Sequence, residues 1–192
     1  IDGDAIFVDA LKIEGGDHAD EDSIIIAVEN ITATDGITLT AADAGDAELN
    51  TATAAVTITG TVDSGSGTDG AGTTLIDADI GTTFANNVGA TTAIESMTIA
   101  DSIQVDLDGV TNAIESIVIT DAGVLEFDAA AGQTYTGAIT FAADDDGTII
   151  NANTDGELSI TGAIGTAPIA ATEITLNDGA NTTFNSAIFA LT

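Results

Sequence analysis

Gly89-Ala90-Thr91-Thr92-Ala93-Ile94-Glu95-Ser96-Met97-Thr98-Ile99-Ala100-Asp101 is followed, 20 residues on and without a gap, by Gly109-Val110-Thr111-Asn112-Ala113-Ile114-Glu115-Ser116-Ile117-Val118-Ile119-Thr120-Asp121. The correspondence continues in kind, with Val105, Asp106, Leu107 and Asp108 facing Leu125, Glu126, Phe127 and Asp128. A fixed offset of this size is the mark of stacked repeats, because like residues then stand above one another in successive coils. Hairpins give no reason for identity at that distance. The expected fold is all-β: a right-handed parallel β-solenoid (β-helix) with rungs of about 20 residues. The alternative is an antiparallel β-sandwich, which short strands at roughly 8–12-residue spacing also suit. With the whole chain wound this way, about nine or ten rungs at a strand spacing of about 4.8 Å make a rod about 45 Å long.

Downstream, Ile139-Thr140-Phe141 lies 22 residues after Ile117-Val118-Ile119. Leu158-Ser159-Ile160-Thr161 reads as the next rung above it, and Ile174-Thr175-Leu176 opens a last group. Asp144-Asp145-Asp146-Gly147 and Asn177-Asp178-Gly179 supply turns between strands. Upstream the pattern loosens. Val56-Thr57-Ile58-Thr59-Gly60-Thr61-Val62 alternates strictly, as one half-buried strand would. Ser23-Ile24-Ile25-Ile26-Ala27-Val28 is apolar on both faces, which predicts burial on both. The alanine-rich stretch 41–55 suits a short helix. Residues 1–192 read as a single elongated domain, with a less regular N-terminal region over residues 1–62 and a Gly/Ser-rich loop or linker over residues 63–72.

Composition agrees with a narrow core. Of 192 residues 44% are hydrophobic, but only 4% are aromatic, which leaves a compact globular interior short of large side chains. The net charge is −31, with Lys12 the single Lys or Arg and His18 the single histidine. Nucleic-acid binding is excluded on this count, since it needs cations to displace phosphate counterions. Docking to anionic lipid fails for the same reason. Without cysteine there is neither a disulfide framework nor a thiolate metal site. No apolar run is long enough for a membrane-spanning helix, so direct membrane insertion is not expected. A start at Ile1 is read as a processed form or a segment of something longer.

Stacking at an offset of 20 sets Glu95 over Glu115, Asp101 over Asp121, Asp106 over Glu126 and Asp108 over Asp128. Like charges about 5 Å apart in water cost on the order of 1 kcal/mol, and more where the dielectric falls. Either these carboxylates face salty solvent or divalent cations bridge them. Calcium is the natural candidate, since it takes about six to eight oxygen ligands. Its candidate ligands are Asp101, Asp121, Asp106, Glu126, Asp108 and Asp128, with the acidic turn Asp144, Asp145 and Asp146. Neither an EF-hand loop nor the glycine-rich calcium nonapeptide is present.

No enzyme is expected. His18 lies between Asp17 and Asp20 in an acidic turn, with no sign of a buried, preorganised nucleophile and base. Zinc motifs and phosphate-cradling loops are missing. Lyase chemistry on acidic sugars would have only Lys12 to call on. A glycosidase needs merely two carboxylates, but with no Trp and a single Tyr, Tyr135, a sugar cleft is poorly furnished. Thr-x-Thr pairs such as Thr57/Thr59 lack the constant rung spacing of an ice-binding array and reflect threonine's β propensity.

The stretches Gly137–Phe141, Leu158–Gly165, Ile174–Gly179 and Thr183–Asn185 resemble the strand repeats of large bacterial surface proteins. The likeness is to autotransporter passenger domains and to acidic, Cys-free S-layer proteins. It implies an extracellular, cell-surface location and a structural role as a building block of a surface layer or filament. An adhesin that binds a host or glycan surface is the alternative. The last residues, Ala187-Ile188-Phe189-Ala190-Leu191-Thr192, show no polar cap. They point to a homo-oligomer or polymer joined through the chain ends.

Overall fold

The computed structural model describes residues 6–15, 22–27, 29–41, 45–52, 55–65, 73–144, 146–154, 156–167, 169–176 and 181–189. The repeated apolar stretches, residues 94–99 and 114–119, are strand throughout. The first coils carry β1 (Ile6–Val8), β2 (Leu11–Glu14) and β3 (Ser23–Ala27), then β4 (Ile31–Ala33), β5 (Ile37–Thr40) and β6 (Ala47–Thr51), then β7 (Val56–Thr59), β8 (Val62–Ser64) and β9 (Thr74–Ala78). Later coils hold two strands each: β10 (Thr82–Phe84) and β11 (Ile94–Ile99), β12 (Gln104–Leu107) and β13 (Thr111–Ile119), β14 (Val124–Phe127) and β15 (Gln133–Phe141), β16 (Asp146–Asn151) and β17 (Glu157–Thr161), β18 (Ala171–Leu176) and β19 (Asn181–Phe184).

These strands form an 8-stranded sheet ordered β1-β4-β7-β10-β12-β14-β16-β18, a second ordered β19-β17-β15-β13-β11-β9-β6-β3, and a third, β2-β5-β8. All their pairings are parallel, which settles the fold as a β-solenoid and removes the antiparallel sandwich. The short third sheet does not stop at β8. Val62 bridges Val88, whose carbonyl accepts the Ala113 N–H, so that face runs on into the first half of β13. The long strands β13 and β15 turn a corner inside themselves, where their register shifts between Ala113 and Ser116. The cross-section is three-sided from end to end.

Side chains that alternate inward build unbroken columns. On one face Ile25, Leu49, Ile76, Met97, Ile117, Ile139, Ile164 and Ile188 stack in register. On the next, Leu11, Ile37, Val62 and Val88 lead to Asn112, Tyr135, Ile160 and Phe184. All but the terminal members are buried. Tyr135 is accommodated because its hydroxyl donates to the Ile114 carbonyl at 3.0 Å, and burial pushes its phenol well above the usual range. At one corner Gln133 Nε2 donates to the Leu107 and Gly109 carbonyls at 2.6 and 2.9 Å, and Gln133 Oε1 accepts from Asn153 Nδ2 at 3.1 Å. Three coils are stitched there by amides.

Several expectations need correction. The 20-residue offset holds for Ile94/Ile114 and Val105/Leu125. It is 25 at Gln133/Leu158 and 27 at Ala47/Thr74, because the corners take loops of different length while strand spacing stays fixed. The longer coils reduce the count to eight strands per main sheet, below nine or ten. Leu158–Thr161 sits over Gln133–Thr136, whereas Ile139 bridges Ile164. The helix expected in 41–55 is replaced by β6, in which Ala47, Leu49 and Thr51 point inward between Glu48 and Asn50. Val56–Val62 divides at Gly60, whose φ of 120° turns the chain from one face to the next. β3 is buried on one side alone, leaving Ile24 and Ile26 52% and 51% exposed.

Candidate functional site

The outer surface of β12 and β14 concentrates carboxylates because outward positions alternate with the core columns. Asp106 pairs in register with Glu126. Asp108 and Asp128 follow at the strand ends, anchored by backbone bonds from Asp108 N–H to Phe84 O (3.0 Å) and from Asp128 N–H to Leu107 O (3.3 Å). Burial first, then the neighbouring Asp128 and Asp106, raises the Asp108 carboxyl above its ordinary value. Glu126 is raised likewise by burial, then by Asp106, Asp128 and Asp108. Two neutral donors soften the repulsion. Gln104 Nε2 donates to Asp106 Oδ1 at 2.7 Å and reaches Glu126 Oε2 at 3.4 Å, while Thr83 Oγ1 donates to Asp106 Oδ2 at 3.1 Å.

The other expected carboxylate stack and the remaining candidate ligands are placed as follows among the described residues. Glu95 Oε2 accepts the Thr74 N–H at 2.9 Å, and the Glu95 N–H donates back to Thr74 Oγ1 at 3.2 Å, which turns this carboxylate toward the preceding coil; Glu115 is exposed. Asp101 and Asp121 occupy stacked turns, and Asp101 Oδ1 accepts from Ser102 Oγ at 2.9 Å and from the Ala122 N–H at 3.3 Å. Asp146 is buried against its own turn, its Oδ2 accepting the Ala143 N–H at 2.6 Å, while Asp144 faces solvent. Asp145, His18, Asp17 and Asp20 lie outside the described residues. Among the described residues no three acidic or histidine side chains converge in a metal-ligating group.

A second carboxylate cluster escapes the sequence reading. Asn50 Nδ2 lies 3.4 Å from each of Glu48 Oε1, Asp77 Oδ2 and Asp79 Oδ2. The Asp77 carboxyl is raised by burial, then by Asp79 and Glu48. Its coils pair at an offset of 27, Asn50 with Asp77, so a search for a constant 20-residue period passes over it. Lys12, the single Lys or Arg, pairs with Glu14 at 3.1 Å on the exposed surface, a contact of little energetic weight.

The chain matches no protein-family model, no curated protein and no solved structure. The structure itself shows a repetitive β-solenoid. Chemically, the outer surface offers acceptors in ladders, with hydroxyl and amide donors interleaved. Two of its described recesses are open and of mixed polar and apolar lining: one is lined by Val8, Asp9, Thr32 and Thr34, another by Asp121, Ala122, Asp146, Gly147, Thr148 and Thr172.

Proposed function

We propose that the chain is an extracellular structural building block of a bacterial surface layer or filament, a stiff acidic rod that assembles end to end rather than an enzyme. The observation that carries this reading is the pair of inward columns, which stack in register through every described coil. Parallel coils add to a solenoid without changing its cross-section, so length is what this architecture supplies. The carboxylate ladders keep such rods apart sideways at low salt and permit contact when screened. Calcium would act on the same ladders by charge neutralisation, at Asp106, Asp108, Glu126 and Asp128 first.

Sedimentation velocity and negative-stain imaging of the purified chain test the reading. Salt at about 1 M, where the screening length is about 3 Å, is expected to give rods longer than one chain, and millimolar calcium is expected to substitute for some of that salt. A monomer under both conditions refutes it.

A further inference from the structure

We draw no further inference here: the strongest candidate, the carboxylate cluster of Glu48, Asp77 and Asp79 around Asn50 on the outer face of β6 and β9, is a group of acids toward which the amide turns its Nδ2 and not its unpaired Oδ1, so nothing beyond the acids themselves points to a ligand there.

Discussion

Replacing Glu126 with glutamine should stabilise the fold, against the usual direction of a substitution in an ordered strand. Glu126 pairs with Asp106 across one strand spacing, about 4.8 Å, with Asp108 and Asp128 as further charged neighbours. Two unit charges at about 5 Å repel by roughly 0.8 kcal/mol in water and by about 3 kcal/mol at an effective dielectric of 20. The side chain is only partly buried, so the gain lies toward the lower figure, about 1 kcal/mol at pH 7 and low salt. Gln104 keeps its 2.7 Å bond to Asp106 in the variant, so little is lost in exchange. The pH profile carries the sign. With folded-state values above the ordinary 3.8 of Asp108 and 4.5 of Glu126, the folded chain binds more protons than the unfolded one just above those values. Stability therefore rises as pH falls through the raised values, levels off below the ordinary ones, and is lowest at neutral pH. Urea unfolding of Glu126→Gln and the parent, at low and at about 1 M salt and from neutral pH to about pH 3, should show a difference that shrinks with salt and with acid. Glu115→Gln, on the exposed surface, should stay within about 0.5 kcal/mol of the parent. A Glu126→Gln variant that is less stable than the parent, or a gain indifferent to salt, refutes the argument.

The interior makes its own demands. Gly137 has φ 137°, and a Cβ there would stand 1.7 Å from the Ile114 carbonyl oxygen, so Gly137→Ala should cost about 3 kcal/mol or more; Gly132→Ala, whose nearest neighbour would be Glu157 O at 3.5 Å, should be neutral or slightly stabilising. Thermal melts of the two variants check this, and equal midpoints would count against the tight inner corner. Met97 is fully buried between Ile76 and Ile117, so Met97→Ala should cost about 2–5 kcal/mol and Met97→Leu less than about 1.5, read as shifts of the urea midpoint.

The fold was legible wherever the corners had equal lengths. Residues 89–128 cover two coils closed by matching corners, and there position in sequence maps directly onto position in space, as Ile94/Ile114 and Asp106/Glu126 show. Elsewhere the strand spacing is conserved but the residue count is not. A Leu158–Thr161 rung placed by constant period therefore lands on the wrong half of β15, a strand long enough to serve two faces. The half-buried Asn50 cluster was hidden for the same reason. The donors Gln104 and Thr83 were hidden for another, since their role depends on how far a side chain reaches across the ladder, and no local pattern encodes that.

Two kinds of column thus divide the work of one strand. The outward columns mix acids with Thr, Ser, Asn and Gln, and repulsion along them is screened by salt and shared out to neutral donors. Screening is indifferent to register: sliding one coil by two residues exchanges one carboxylate neighbour for another of similar cost, as at Glu126, which faces Asp106 and also lies within the influence of Asp128 and Asp108. The inward columns are not indifferent, because each step must fill the space between the coils above and below with a side chain of suitable volume, apolar at every position of the two columns but Asn112. Specificity in stacking must then come from inward residues such as Leu49, Ile76, Met97 and Ile117. The acidic surface sets only the ionic conditions under which they meet. The two effects separate experimentally: varying salt should change how much stacks, whereas only a change in the inward columns should change what stacks on what.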